Sequence, residues 1–398
     1  MKIIVSSFSS FGFFFIFSVI LVAQTPTAPT DLTTIVLSAN LVALEFTHDT
    51  INTDGFDIEG SSSTNGPWVS VAKISLTTVA YRNFQLVRNT NYCYRLRAFN
   101  ATTNSLYSNI SQTPALPSAR VSGWGDNTSG QSSPPPLSNI VSIATGFRHS
   151  LALKNDGTII GWGNNSFGQS TPPTNAALAI ATGNDFSLAL LPNGTVLGWG
   201  NNSFGQITSP LNLTNAVAIA AGTTHSLALK RNGTVVGWGN NANGQTNVPP
   251  NLTNVVSVAA GNAHSLALQA NGTVIGWGNN SFGQTNIPAN LIAIAIATGQ
   301  NHCLAITPNY TIVAWGNNAA GQTNVPVNFT NAVAIAGGFN HSLALNAPAV
   351  IGWGNNSAGQ TTIPNFTNVV AIAAGTSNSL ALWSQPPSRT FQLSMAVP

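Results

Sequence analysis

Residues 255–284 read VVSVAAGNAHSLALQANGTVIGWGNNSFGQ, and this stretch decides the fold of the 398-residue chain. It holds one alternating apolar run, a second run at His264–Leu268, an Asn-Gly pair at Asn271–Gly272, and a third run that ends at Trp277. Alternation at period two is typical of β-strands. An Asn-Gly pair between two such runs signals a hairpin, because both residues tolerate positive φ. The stretch therefore predicts a small antiparallel sheet of three or four strands.

The same pattern recurs seven times between residues 120 and 384. Tryptophans stand at Trp124, Trp162, Trp199, Trp238, Trp277, Trp315 and Trp353, with spacings of 38, 37, 39, 39, 38 and 38 residues. The phrase Gly-x-x-His-Ser-Leu-Ala-Leu, or a variant of it, starts at Gly146, Gly183, Gly222, Gly261, Gly299, Gly338 and Gly375. Sheets that are apolar on both faces are stable only when neighbours cover them, as in a β-propeller. The counts predict seven blades, with the first strand, Val121 to Gly125, completing the last blade.

The two repeated phrases resemble the repeat of the regulator-of-chromosome-condensation (RCC1) family over residues 120–384. Nuclear members of that family catalyse guanine-nucleotide exchange on a small GTPase and contact chromatin through a basic extension. This chain has an apolar N-terminus in place of such an extension, and its repeat unit is shorter than usual. The resemblance is closer to secreted short-repeat bacterial members, among them a propeller that inhibits β-lactamases, and it implies protein binding.

Residues 26–116 predict a separate all-β domain. Strand-like alternation is visible at 41–46, 55–60, 68–72 and 92–98, with turn-forming residues between the runs. Several short strands in a segment of this length are typical of a sandwich. In the last run, alternation places Tyr92, Tyr94, Leu96 and Ala98 on the core face and Cys93, Arg95 and Arg97 on the outer face.

This last run resembles the penultimate strand of a fibronectin type III domain, with its tyrosine corner, in the motif that starts at Leu86 and ends at Asn100. Phe46 stands where the family has an early core tryptophan. The resemblance implies a spacer or binding module. The sequence has no Arg-Gly-Asp tripeptide, so an integrin-type function is not carried over.

The two ends of the chain fit neither domain. Phe11 to Ala23 is an uncharged apolar run of signal-peptide length, too short for an ordinary membrane span. We expect residues 1–23 to be a signal peptide with Leu21 and Ala23 at the −3 and −1 positions; an uncleaved anchor is the alternative. A linker is expected at Pro114 to Arg120, and residues 385–398 stay unassigned.

Charge and cysteine content narrow the classes of partner. The chain has 12 Lys and Arg and 9 Asp and Glu, 5% of its residues, against about 25% in ordinary proteins. This excludes a charged helical bundle or coiled coil, and the absence of a basic cluster argues against nucleic acid. Cys93 and Cys303 fall in different domains, so we expect free thiols, with an intermolecular disulfide as the alternative.

Five repeats place a histidine at one equivalent position: His149, His225, His264, His302 and His341. Phe186 and Asn378 occupy this position in the other two repeats. A ring of imidazoles is a candidate metal site. Equivalent positions around a ring lie far apart, however, and no carboxylate accompanies them. We therefore interpret these histidines as structural side chains that bind backbone groups at strand ends, and expect no metal and no cofactor.

The propeller region has few groups for catalysis. Its only acids are Asp126, Asp156 and Asp185, at three different repeat positions. Asp156 stands in the Asn-Gly turn slot, where turn chemistry explains it. General acid-base catalysis needs a positioned pair of groups with separated pKa values. We therefore predict no catalytic residues, and keep a propeller hydrolase or lyase as the more distant alternative.

Two further features have structural and functional interpretations. Asn193, Asn232, Asn271 and Asn309 begin glycosylation sequons but also occupy the hairpin turn, which favours a structural role. Phe167, Phe204 and Phe282 share one position in the Trp-Gly-Asn-Asn phrase. They form either an aromatic patch or, as we prefer, packing contacts.

The repeats differ most in the two residues between the glycine and the histidine position. These pairs are Phe147-Arg148, Asn184-Asp185, Thr223-Thr224, Asn262-Ala263, Gln300-Asn301, Phe339-Asn340 and Thr376-Ser377. All seven come at the same strand entry and should share one face. Variable residues on a rigid frame are typical of binding sites, and neutral drift at a tolerant turn is the competing explanation. We predict a binding site at Phe147, Arg148, Asn184, Asp185, Gln300 and Phe339.

Together these features predict a secreted or cell-surface, non-enzymatic protein-binding, scaffold or adhesion protein. It is expected to be a monomer with no membrane span after signal removal, and to bind an extracellular protein or glycan on one propeller face. A secreted inhibitor of a specific enzyme is the first alternative.

Overall fold

The computed structural model describes residues 25–38, 41–48, 52–75, 81–83, 92–113, 119–327, 329–346, 349–366 and 369–384. Every named element in these ranges is a β-strand, and none of the described residues forms a helix that could cross a membrane. The expected signal peptide, Leu86, linker residues 114–118 and the tail 385–398 lie outside the described ranges and stay predictions.

The N-terminal unit consists of two antiparallel sheets that share one core. Its strands are β1 (Thr30–Ser38), β2 (Leu41–Thr47), β3 (Gly55–Ser61), β4 (Val69–Ser75), β5 (Tyr81–Asn83), β6 (Cys93–Phe99) and β7 (Ser111–Gln112). The strand orders are β1-β2-β5 and β4-β3-β6-β7. Leu32 and Leu44 of the first sheet pack against Phe56, Ile58 and Leu96 of the second. This unit is therefore a β-sandwich.

The predicted core face of β6 is confirmed, but the prediction for Cys93 is wrong. Tyr94, Leu96 and Ala98 are fully buried in the shared core, and Tyr92 packs against it. Cys93 is also 0% exposed. It lies in a strand with neighbours on both sides, where it pairs with Ser61 of β3 and Gln112 of β7. Alternation identified its face correctly, but an outer face in the middle of a sheet is not necessarily exposed.

Side-chain stacking and ion pairs cover the rest of this outer face. Arg95 Nη2 lies 2.7 Å from Glu59 Oε2, and the Arg95 guanidinium stacks 4.4 Å from the Trp68 ring centroid and 3.8 Å from that of Tyr107. Arg97 pairs with Asp57 at 3.1 Å. Four of the chain's few charges are thus used within the sandwich.

Residues 119–384 form seven three-stranded antiparallel sheets. Sheets 1 to 6, each with strands in the order inner, middle and outer, are β9 (Ile140–Thr145), β10 (His149–Lys154), β11 (Ile159–Gly163); β12 (Ala179–Thr182), β13 (Phe186–Leu190), β14 (Val196–Gly200); β15 (Ala216–Ala221), β16 (His225–Lys230), β17 (Val235–Gly239); β18 (Val255–Ala260), β19 (His264–Gln269), β20 (Val274–Gly278); β21 (Ala295–Thr298), β22 (His302–Ile306), β23 (Ile312–Gly316); and β24 (Ala334–Gly337), β25 (His341–Asn346), β26 (Ala349–Gly354). Sheet 7 combines β27 (Val369–Ala374), β28 (Asn378–Ser384) and β8 (Ala119–Gly125).

The first strand of this region completes the last sheet. β8 pairs with β28, and Trp124 lies opposite Ser379. The same register holds in sheet 1, where Trp162 lies opposite Ser150. β8 begins at Ala119, so the last two residues of the predicted linker belong to this strand. The pairing is the one that the repeat pattern predicts.

Neighbouring sheets pack face to face and bury both faces of each middle strand. Leu227 and Leu229 of sheet 3, for example, pack against Ala267 and Trp277 of sheet 4. The tryptophan of each repeated Trp-Gly phrase also donates its indole N–H to the main-chain carbonyl of the glutamine in the preceding sheet's Gly-Gln phrase, as Trp277 does to Gln245 at 2.9 Å. The tryptophan is therefore both an apolar contact and a hydrogen-bonded link between consecutive sheets.

The hairpin turns form as expected but for a different reason. Gly194 has a φ of 77°, whereas Asn193 is not among the residues with positive φ. The Gly194 N–H donates to the Leu191 carbonyl at 2.9 Å, and Asn193 Oδ1 accepts from the Thr195 N–H at 3.0 Å. Glycine thus supplies the left-handed residue, and asparagine closes the turn with its side chain. The aspartate of the equivalent turn, Asp156, accepts from the Thr158 N–H in the same way.

Candidate functional site

Two sets of loops lie at the same edge of every sheet and form what we call the front face. One set joins the inner to the middle strand, as residues 146–148 do, and the other follows the outer strand, as residues 164–169 do. They meet because His149, at the start of β10, pairs with Gly163, at the end of β11. The Arg148 carbonyl accepts from the Asn164 N–H at 2.7 Å. The hairpin turns lie at the opposite ends of the strands, on the back face.

An axial cavity of about 250 Å³ opens where the seven inner-to-middle loops converge. Each sheet contributes three consecutive residues, and the third of them is the first member of a variable pair: Phe147, Asn184, Thr223, Asn262, Gln300, Phe339 and Thr376. Four of the six predicted site residues therefore line one cavity. Arg148 follows Phe147 in the chain and Asp185 follows Asn184, and neither of them lines the cavity. The seven pairs do share one face.

A belt of main-chain hydrogen bonds surrounds this cavity. The N–H of the lining residue in each sheet donates to a carbonyl of the next sheet, as Gln300 does to Gly338 at 3.0 Å. The last bond runs from the Thr376 N–H to the Gly146 carbonyl at 3.4 Å. A Cβ atom on Gly222 would collide with the Gly261 carbonyl and with the His225 ring. The phrase therefore requires glycine because the sheets approach each other closely at the axis.

The predicted charged residues lie at the rim of the cavity and are held by their neighbours. Arg148 is exposed, and its guanidinium lies 4.9 Å from the centroid of the Phe147 ring. Asn184 Nδ2 donates to Asp185 Oδ2 at 2.8 Å. The rim thus offers one cation and one anion on adjacent sheets.

The five histidines form buried links between sheets. His225 Nε2 lies 3.0 Å from Ser265 Oγ of the next sheet, and the Ser265 hydroxyl donates to the Gln245 carbonyl at 2.8 Å. Since the serine proton is used in that bond, Ser265 Oγ accepts the Nε2–H of His225. For four of the five histidines the partner is therefore a serine hydroxyl of the next sheet and not a strand-end backbone group, which corrects that part of the interpretation.

Burial keeps these imidazoles neutral. It lowers the pKa of His149, His225 and His302 to about 4, and that of His264 and His341 to about 3. The Nδ1 atoms of all five are buried without a hydrogen-bond partner. A second proton would have no acceptor there. Among the described residues, no group of three or more His, Cys, Asp or Glu side chains is placed to hold a metal ion.

Sheet 5 has a cysteine at the position of the linking serine. Cys303 Sγ lies 3.2 Å from His264 Nε2 and 3.3 Å from the Gln284 carbonyl. Complete burial raises the pKa of this thiol well above its usual value. Cys303 therefore replaces serine in the link and is not an activated nucleophile.

The three propeller acids occupy separate structural positions. Asp126 accepts from the Gln131 side chain at 3.0 Å, Asp156 closes a back-face turn, and Asp185 accepts from Asn184. Within the part of the chain that the structure describes, none of them is hydrogen-bonded to another acid or to a histidine. The arrangement favours binding over acid-base chemistry.

Phe167, Phe204 and Phe282 belong to the front face. Their exposed fractions are 54%, 53% and 51%, so the preferred packing interpretation is wrong. Each lies at the tip of a Gly-Gln loop, where the following glutamine side chain accepts its N–H, as Gln206 does for Phe204 at 2.9 Å. The loop is held from within by that glutamine, and the ring is left half exposed.

Sequence reasoning left three lining residues out of the site: Thr223, Asn262 and Thr376. They occupy the same repeat position as the four that it included. Their position within the repeat predicts that they line the cavity. Choosing residues by unusual type misses them, because threonine and asparagine are common in this chain.

Comparisons with known proteins agree with this geometry. Residues 140–169, 178–206, 216–245 and 255–284 match the family described as "Regulator of chromosome condensation (RCC1) repeat". A search of curated proteins gave no match.

Solved structures share the fold at low sequence identity. Prp20p from Saccharomyces cerevisiae, whose structure was described together with its binding to Gsp1p and histones, has a TM-score of 0.60 and 19% identity over 69% of this chain and 93% of Prp20p. Human WBSCR16 has a TM-score of 0.55 and 21% identity over 67% of this chain and 99% of WBSCR16. The residues 119–384 thus form a repeat β-propeller. Four of its seven repeats, those within residues 140–284, match the RCC1 repeat.

Proposed function

We propose that this chain is a secreted, non-enzymatic protein-binding protein that docks its partner on the front face of the propeller. The observation that carries the proposal is the convergence of the variable residues on one surface. Phe147, Asn184, Gln300 and Phe339 line the axial cavity, and Arg148 and Asp185 follow them in the chain. Aromatic residues and arginine are enriched at the centres of protein interfaces.

The exposed phenylalanines extend this surface outwards. Phe167 and Phe204 belong to the loops of sheets 1 and 2 and are about half exposed, and the same two sheets carry Arg148 and Asp185. The front face therefore combines apolar rings with the cation of Arg148 and the carboxylates of Asp185 and, on sheet 7, Asp126. This composition suits a protein partner, because apolar contact supplies affinity and the paired charges fix the orientation.

We further propose that the seven sheets close into one seven-bladed ring. The belt of seven main-chain bonds that returns from Thr376 to Gly146 supports closure. So do the bond from Asn378 Nδ2 to Thr145 Oγ1 between sheets 7 and 1 and the pairing of β8 with β28. A closed ring gives the front face a rigid frame, because every sheet is held by two neighbours.

The N-terminal sandwich is proposed to be a fibronectin type III domain that acts as a spacer. Among the described residues, seven antiparallel strands in sheets of three and four support this assignment, as does the strand Cys93–Phe99 with Tyr94 in the core. Export is tested directly by sequencing the N-terminus of the protein released by its source cells, which should begin at Gln24.

The docking proposal is tested by capture of partners with the full chain. The test variant replaces Phe147, Arg148, Asp185 and Phe339 together with alanine, and the matched control carries Lys230→Ala and Arg231→Ala on the back face. The proposal predicts that a partner captured from the native extracellular fraction is lost with the test variant and kept with the control. Equal capture by both variants refutes docking on the front face.

The identity of the partner separates a general scaffold from an inhibitor. If the captured partner is a single enzyme, its activity should fall on titration with the full chain and recover with the front-face variant. A stoichiometric nanomolar complex with one enzyme favours the inhibitor, and capture of several surface proteins favours the scaffold.

A further inference from the structure

We propose that the axial cavity binds one ring of a neutral sugar. The inference rests on the side chains that surround the axis and on the main-chain belt beneath them. It shares Phe147, Asn184, Gln300 and Phe339 with the proposed docking function, so the rim residues Arg148 and Asp185, which do not line the cavity, are used to test the two separately.

The wall of the cavity has two chemically different parts. In the order of the sheets, the lining residues Phe339, Thr376 and Phe147 follow one another, so that two phenylalanines stand on either side of one threonine. The remaining arc consists of Asn184, Thr223, Asn262 and Gln300. One side of the wall therefore carries two phenylalanines, and the facing side carries three amide residues and a threonine.

The composition of the wall excludes several other ligands. None of its residues is charged, so neither a free anion nor a free cation finds a counter-charge there. The N–H groups of the seven lining residues all donate to the next sheet and are unavailable to a phosphate or carboxylate. A purely apolar ligand would bury the amide groups of the polar arc without hydrogen bonds, which costs roughly 1–3 kcal/mol for each group.

A pyranose ring matches both parts of the wall. Its C–H face packs against aromatic rings, and its hydroxyl groups both donate and accept hydrogen bonds. Asn and Gln amides and the Thr hydroxyl also offer donors and acceptors side by side. A few polar groups placed opposite an apolar wall are the usual means of orienting a small ligand.

The size of the cavity matches a single sugar ring. Its volume of about 250 Å³ lies below the roughly 300–1,000 Å³ of pockets for drug-sized molecules. The cavity opens on the front face, where Arg148 is exposed beside Phe147. A terminal sugar of a glycan could therefore enter while the rest of the chain stays outside.

The test measures sugar binding by the full chain in solution. Ligand-observed NMR and calorimetry with the methyl glycosides of glucose, galactose, mannose and N-acetylglucosamine test neutral rings at millimolar concentration, and glucuronate and glucosamine test charged ones. Saturable binding of at least one neutral glycoside is expected. Binding of charged sugars alone, or of none, overturns the proposal.

Two variants test the site with residues that other sheets already carry at the same position. Gln300→Thr removes an amide from the polar arc and Phe339→Thr removes a ring, and Thr223 and Thr376 show that threonine fits there. Each change should weaken sugar binding roughly tenfold, the effect of one lost contact of this kind. Ala263→Thr is the matched control, because Ala263 lies outside the cavity wall and sheet 3 has Thr224 in its place.

The controls distinguish this proposal from the docking proposal. Unchanged thermal unfolding in all three variants shows that an effect is local. Sugar binding that survives both Gln300→Thr and Phe339→Thr overturns the axial site. If Arg148→Ala with Asp185→Ala abolishes protein capture and leaves sugar binding intact, both proposals stand. Loss of sugar binding in this rim variant places the sugar at the rim and overturns the axial site.

Discussion

Acidification to about pH 5 should unfold the propeller through its five buried histidines. Each is 0% exposed and hydrogen-bonded to the next sheet as a neutral imidazole. The folded-state pKa values of about 3 to 4 lie below the ordinary value of 6.5. The unfolded chain therefore binds more protons than the folded chain between these limits. The propeller keeps its full stability above pH 6.5 and loses it as the pH falls towards 4.

The magnitude follows from the size of the shift. At pH 5 an imidazole with an unfolded pKa of 6.5 and a folded pKa of about 4 lowers the free energy of unfolding by about 2 kcal/mol, since one pKa unit corresponds to roughly 1.4 kcal/mol. Five such groups together cost at most about 10 kcal/mol, which is comparable to the whole stability of a typical domain. Protonation would also place a proton on Nδ1, where no partner is available.

The measurement is urea unfolding followed by tryptophan fluorescence between pH 8 and 5, because each repeat carries an indole that is buried or, at Trp199, partly buried. Between pH 6 and 5, the slope of the unfolding free energy against pH should correspond to an uptake of nearly five protons on unfolding. His225→Phe, with the natural precedent of Phe186 at the equivalent buried position, should lower that slope by about one proton. Phe186→His, which brings an imidazole towards Ser226, should raise it by about one.

The two variants change the number of imidazoles in opposite directions and so control for a general loss of stability. A slope below one proton in the unmodified chain, or the same slope in both variants, would refute the reasoning. The window above pH 5 is chosen because carboxylates titrate mainly below it.

Three further predictions concern the frame that holds the front face. Cys303→Ser should change the free energy of unfolding by less than about 1 kcal/mol, because serine fills this position in the other sheets. The native Cys303 thiol should react with a thiol reagent only after the chain unfolds, and mass spectrometry of the peptide that contains Cys303 measures this labelling. Gly222→Ala should lower the free energy of unfolding by about 3 kcal/mol or more, because the new Cβ would meet the Gly261 carbonyl and the His225 ring. Gly244→Ala, at a positive φ of 75° but in an open loop, should lower it by only about 1 kcal/mol. Urea midpoints compare the two variants, and equal losses would contradict the close approach of the sheets at the axis. Deletion of residues 119–125 should leave β28 as an exposed sheet edge, so that copies of the chain associate through it. Size-exclusion chromatography detects this association. A monomeric, cooperatively folded product would show that β8 is not needed to complete sheet 7.

The repeat pattern predicted the strands and sheets well because these features depend on local sequence. Alternation at period two places Leu266 and Leu268 on one face of a strand wherever that strand packs, and Gly272 supplies the left-handed residue that the turn needs. The regular return of tryptophan allowed the units to be counted. The partner of the first strand followed from the same count, because Trp124 begins a phrase that has no hairpin of its own.

Properties that depend on distant residues coming together could not be predicted in this way. Phe147 and Phe339 are far apart in the chain, and only the convergence of the inner strands brings both to the same cavity. Alternation assigns Cys93 to the outer face of its strand, but the neighbouring strands and side chains decide that this face is covered. The histidines repeat visibly in the sequence, yet their neutral state comes from burial between the sheets, which excludes water. Local periodicity determines which way a side chain points along its own strand, and contacts between sheets determine what it meets there.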